Sequence, residues 1–153
     1  MKKIYDDVDS LIVDIKKDLN TTLSEEVFET VRDIELAYIE KDVMDSYKPN
    51  RYIRRKKAGI DDPDNIIGIV NNLCLEVDNI TEFNKGYGTS NKGKGLATLI
   101  DEGDGANGFY YDYFGEHIRP RRFLQNTIDT IQYTNVTEEA LEKGMKRKGY
   151  DIT

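Results

Sequence analysis

The segment IIGIVNNLCLEV, residues 66–77, decides the fold class. Residues 66–70 are short and rich in β-branched side chains. In the run that follows, Leu73, Leu75 and Val77 alternate with Cys74, Glu76 and Asp78, the period-2 pattern of a half-buried strand. The same pattern is absent on the N-terminal side. There Ile4, Val8, Leu11 and Ile15 recur at helical spacing, with Ile12 and Leu19 widening the stripe. Residues 20–24, NTTLS, supply turn and cap chemistry, and Ser24 with Glu25 and Glu26 reads as the start of a second helix. Val27, Val31, Ile34 and Tyr38 form its expected buried stripe, and the helix should end by Tyr47, before Pro49.

Beyond the strands, residues 84–95 are mostly Gly, Asn, Lys and Ser without apolar periodicity, which predicts a flexible loop. Residues 96–100 have room for one or two helical turns before the glycines of DEGDGANG. FYYDYF, residues 109–114, reads as an aromatic strand, core or edge, whose tyrosines also suit a subunit interface. Arg119-Pro120 marks a helix start with proline in the first turn, and Leu124, Ile128 and Ile131 give that helix an apolar face. Residues 137–148 form a last, charged helix. These elements predict an α+β fold with N-terminal amphipathic helices and C-terminal helices packed on a small, mainly antiparallel sheet.

The chain has 153 residues, 38% of them hydrophobic, enough for one core, so a single domain spanning residues 1–153 is expected. No run reaches the roughly 18–20 apolar residues of a membrane helix, and MKKIYDDVDS turns acidic before a signal-peptide core could form. The expectation is a soluble protein made in a cytoplasm, with no membrane partner. The lone Cys74 cannot form an internal disulfide, and its apolar neighbours suggest a small buried side chain.

The net charge of −7 is unevenly placed. Residues 1–45 hold thirteen acids and six bases, whereas residues 46–153 hold sixteen of each. Within the neutral remainder the bases cluster as Arg51, Arg54, Arg55, Lys56 and Lys57, then Lys85, Lys92 and Lys94, then Arg119, Arg121 and Arg122. Such segregation suits pairing between copies, or local contact with a polyanion by a chain that stays soluble. The plainer reading of RYIRRKK is a solvated basic face.

Sites with catalytic chemistry fail on their own requirements. GTSNKGKG, residues 88–95, is one residue short of a phosphate-binding loop: Gly95 stands where a Ser or Thr hydroxyl would hold Mg²⁺. Its lysines can still meet a phosphate backbone as point charges. Pro63-Asp64 with Glu76 resembles a metal-nuclease core, but the third element reads Glu76-Val77-Asp78 and lacks the lysine. An alternative reading as a metal-dependent nucleic-acid-processing enzyme of a mobile element would use Asp61, Asp62, Asp64 and Glu76. DEGDGANG lacks the ligand spacing of a calcium loop. His117 beside Glu116 has no nucleophile paired with it by any local pattern and reads as structural or exposed. No catalytic set, cofactor site or metal site is expected.

Two stretches carry a family resemblance. Tyr47-Lys48-Pro49-Asn50-Arg51-Tyr52-Ile53-Arg54-Arg55, followed by Gly59, an Asp-rich turn and Asn65-Ile66, resembles small neck proteins of phages and prophages of Gram-positive bacteria. Arg119-Pro120-Arg121-Arg122-Phe123-Leu124, after LATLIDEG at 96–103, is similar to the Arg-Pro-Phe segment of the tail-completion, or tail-to-head joining, family of long-tailed bacteriophages. The resemblance covers about residues 24–133. It implies a non-enzymatic α+β virion protein whose copies form a ring, typically of six, around the DNA channel of the neck. Its implied partners are a head-closure or connector protein, a tail terminator or tail tube protein, and genomic DNA in the channel. Arg51, Arg54, Arg55, Lys56, Lys57, Lys85, Lys92 and Lys94 become candidate contacts with partner or DNA, and Pro120, Phe123 and Leu124 candidate structural positions. The long acidic N-terminal helix and the two arginines between Pro120 and Phe123 depart from the family pattern.

Overall fold

The computed structural model describes residues 7–46, 48, 57–82, 95–103 and 120–152. The chain enters as helix α1 (Val8–Thr22), whose first turn is capped by Asp7: Ser10 N–H donates to its carboxylate at 2.7 Å. No break follows. A π-helical turn (Leu23–Val27) leads directly into α2 (Phe28–Tyr38), and a second one (Ile39–Met44) ends the run. The hydroxyls expected to make a turn at NTTLS instead bond back along their own helix. Thr21 donates to Lys17 O, Thr22 to Asp18 O and Ser24 to Thr21 O, each at 2.9 Å.

The buried row of this helix also departs from the expected one. Val27, Val31, Glu35, Ile39 and Val43 are all buried, whereas Ile34 and Tyr38, expected inside, are half-buried.

A 3-10 turn (Pro63–Asn65) precedes a two-stranded antiparallel sheet, β1 (Ile66–Asn71) and β2 (Cys74–Asn79). The strands are joined by Asn72 and Leu73, both left-handed at φ 53° and 64°. A two-residue loop with both φ values positive suits the strand twist, but Leu73 is a costly residue there. Asn20 of α1 compensates by accepting the Leu73 N–H at 3.1 Å. This loop pairs Asn71 with Cys74, and the Ile80 N–H donating to Asn65 O at 2.8 Å fixes the same register at the far end. Ile66, Gly68, Val70, Leu75, Val77 and Asn79 therefore share one face, and Ile67, Ile69, Cys74, Glu76 and Asp78 the other. Cys74, expected to be buried, is exposed because it falls on the outer face.

Helix α3 (Leu96–Glu102) confirms the short helix expected near 96–100. Helix α4 (Phe123–Tyr133) begins later than the Arg119-Pro120 signal, and α5 (Val136–Arg147) is the charged last helix. Together these elements form an α+β fold. The expected strand at 109–114 lies outside the described residues.

The fold sorts into two compact units, each assembled from separated stretches: Met1–Asp33, Gly68–Val77 and Ile131–Thr153 in the first, Ile34–Ile67 and Asp78–Thr130 in the second. The first is centred on Val27, Val31 and Ala140, against which Leu23, Leu75, Val77, Ile131 and Leu141 pack. Here α5 lies on the helix formed by α1 and its π turn. Tyr150 OH donates to Asp18 at 2.9 Å, and Arg147 bonds Glu26 at 3.1 Å. Gly144 makes the approach possible, since a Cβ there would overlap Thr22 Cγ2 and come within 2.9 Å of Glu26 Cδ. Gly68 has the same role beneath Phe28, whose Cδ2 would lie 2.5 Å from an added Cβ. In the second unit Ile39, Val43, Ile60, Ile66, Ala97 and Phe123 are buried, together with Glu35, Asn79, Thr81, Asp101 and Thr127.

Candidate functional site

Buried polar side chains must find partners, and those of the second unit find each other. Asn79, at the end of β2, donates through Nδ2 to Glu35 Oε1 at 2.9 Å and to Ile60 O at 3.4 Å. Its Oδ1 accepts the Thr81 N–H at 3.2 Å and the Thr81 hydroxyl at 2.6 Å. Asn65 Nδ2 donates to Gly59 O at 2.7 Å and to Thr81 Oγ1 at 3.2 Å. Thr81 is 1% exposed and Glu35 3%, so these bonds are shielded from water. Burial pushes the Glu35 carboxyl above its ordinary value. The Asn79 hydrogen bond opposes that rise, and the nearby Asp78 charge adds to it.

This network holds the chain where it enters and leaves the basic segments. Lys57, exposed, is the last residue of the basic run, and Ala58 next to it, at φ 56°, donates its N–H to Asp62 Oδ2 at 2.6 Å. The segment carrying Lys85, Lys92 and Lys94 departs just after Thr81 and returns at Gly95, where the Leu96 N–H donates to Thr81 O at 3.0 Å. Gly95 itself serves as the N-cap residue of α3. Arg121 lies in the last stretch before α4, and its N–H donates to Ile100 O of α3 at 3.0 Å. The start of α4 is then capped from α3: Asp101 Oδ1 accepts the Leu124 N–H at 2.7 Å and the Gln125 N–H at 3.4 Å. The described residues that border the three basic groups, Ala58, Thr81, Gly95 and Arg121, therefore belong to one unit and one hydrogen-bonded scaffold.

Of the candidate contact residues, Lys57 is exposed, and Arg51, Arg54, Arg55, Lys56, Lys85, Lys92 and Lys94 lie outside the described residues, as do His117 and Glu116. Phe123 is fully buried and Leu124 half-buried. Pro120 is exposed and precedes α4 by three positions: the cap from Asp101 moves the helix start to Phe123. Of the alternative metal ligands, Asp61, Asp64 and Glu76 are exposed. The Asp62 carboxylate is occupied by the N–H groups of Ala58 and Asp64, the latter at 3.1 Å, and these backbone bonds lower its pKa. No group of three or more His, Cys, Asp or Glu among the described residues could hold a metal ion. No helix among them is long and apolar enough to cross a membrane.

Glu35, Asn79 and Thr81 had no assigned role in the sequence, and Asn65 and Asp101 stood there only within the stretches of the family resemblance. A signal existed for two of them, because the alternation of Leu75 and Val77 carried two steps further reaches Asn79 and Thr81.

The fold is that of a small helical α+β protein, and its sequence places it more closely. A family model matches residues 7–147, and the chain belongs to the YomN family. That family is phage-derived, which makes this a phage-associated protein. No curated protein and no solved structure matches the chain.

Proposed function

We propose that the chain is a non-enzymatic structural protein of the phage neck, completing the tail or joining it to the DNA-filled head as a ring of copies around the DNA channel. The observation that carries this reading is the anchoring, on one polar scaffold, of the described residues that border the three basic segments. A ring subunit needs a fixed body bearing cationic segments that meet a neighbour or channel DNA. The polar groups of the scaffold are committed to backbone and to one another, as support requires. The likeness of residues 47–55 and 119–124 to tail-completion proteins, in a chain of a phage-derived family, points the same way. On this reading six copies form the ring. A head-closure or connector protein lies on one side and a tail terminator or tail tube protein on the other, and the protein passes from host cytoplasm into the virion. Deleting its gene from the phage tests this. Lysates should then hold DNA-filled heads and separate tails, and normal joined particles from the deletion would refute the proposal.

A further inference from the structure

The first half of α1 carries an apolar face that the fold leaves uncovered. Leu11, Ile15, Asp18 and Thr22 lie toward α5, as the Asp18–Tyr150 bond and the Thr22 contact with Met145 show. Val8, Asp9, Ile12, Val13 and Lys16, at i, i+1, i+4, i+5 and i+8, form another face, and all five are exposed. Val8 is 69% exposed and Val13 65%, values far from those of core residues on an amphipathic helix. Neither Asp9 nor Lys16 has an ion-pair partner among the described residues.

We infer that this face is where two copies of the chain pair, α1 against α1 in antiparallel orientation, about a twofold axis between Ile12 and Val13. The sequence is self-complementary about that point. The axis sets Ile12 and Val13 against the same two residues of the partner copy and Asp9 on its Lys16, with Val8 at the margin of the seam. A parallel pair would set aspartate against aspartate, lysine against lysine and like helix-dipole ends together. A polyanion is disfavoured by Asp9 at the centre of the face. The inference is independent of the neck reading: pairing of the free protein and ring formation in the particle are measured separately, and either can fail alone.

The test is sedimentation velocity of the full chain at low ionic strength over a wide concentration range, with far-UV circular dichroism to confirm that each variant stays helical. The wild-type chain should dimerise. Ile12→Asp, which buries an unpaired carboxylate at the axis, should weaken dimerisation about a hundredfold or more. Asp9→Lys and Lys16→Asp should each weaken it, and the double variant Asp9→Lys/Lys16→Asp should return it to near the wild-type value, because the swapped charges meet again only in the antiparallel pair. A wild-type chain that stays monomeric would overturn the inference. So would a dimer indifferent to Ile12→Asp, or a double swap no stronger than the single ones.

Discussion

Replacing Asn79 with alanine removes the hub of the buried scaffold, and the cost can be worked from its bonds. Glu35 loses the donor at 2.9 Å, and the Thr81 N–H and hydroxyl lose their shared acceptor. A hydrogen bond to a charged group contributes about 1.5–3 kcal/mol and a neutral one about 1 kcal/mol, so the loss at neutral pH should be about 3–5 kcal/mol. That figure should depend on pH in one direction. In the wild type Glu35 is held above its ordinary value of 4.5 by burial. The native state therefore binds a proton more readily than the unfolded one, and stability rises as pH falls from neutrality toward 4.5. Without Asn79 the carboxyl rises further, so acidification should recover part of the loss. In a Glu35→Gln background, which keeps the acceptor oxygen and removes the charge, the same alanine substitution should cost about 3 kcal/mol, about one for each neutral bond lost, with little pH dependence. Urea unfolding followed by tyrosine fluorescence and circular dichroism, with coincident transitions, reads all four chains. A loss under about 1 kcal/mol at neutral pH, unchanged by acidification, would refute the account of the scaffold.

Phe123→Ala should cost about 3–5 kcal/mol because the ring is fully buried, and Arg122→Ala, at an exposed position, less than about 0.5 kcal/mol; denaturation giving the reverse order would move the inward face of α4. Gly144→Ala should destabilise the chain by about 1–3 kcal/mol, since the new methyl meets Thr22 and Glu26, and thermal unfolding at unchanged stability would show that α5 stands further from the N-terminal helix. Arg54→Glu with Arg55→Glu should block particle assembly if acidic N-terminal helices meet this run in a neighbouring copy, while leaving the circular dichroism of the isolated chain unchanged. Wild-type particle yield from that double variant would reduce the run to a solvated face.

The sequence announced elements through periodicity and misjudged their joints. The strand alternation about Leu75 and Val77 held because one face of β2 packs on the Val27 and Val31 core. The α2 stripe was misassigned after Val31 because Glu35, a charged residue, takes the inward position through its bond with Asn79, while Ile34 is half-buried. Thr21, Thr22 and Ser24 look like turn formers, yet the choice between capping and back-bonding is made by the tertiary position of the helix. The start of α4 was misplaced for a similar reason, since its cap comes from Asp101, twenty-two residues upstream of Phe123. The basic segments were plain from composition. Their common anchoring was not, because it passes through the side chains of half-buried Asn65 and buried Asn79 and Thr81, which in sequence resemble ordinary loop residues.

The proposed neck role fixes a position in the particle. Immunogold labelling of purified virions with antibody against this chain, viewed by electron microscopy, measures that position directly. Gold confined to the junction between head and tail is expected of a neck protein. Virions without label, with the chain recovered only in the soluble lysate, would contradict it.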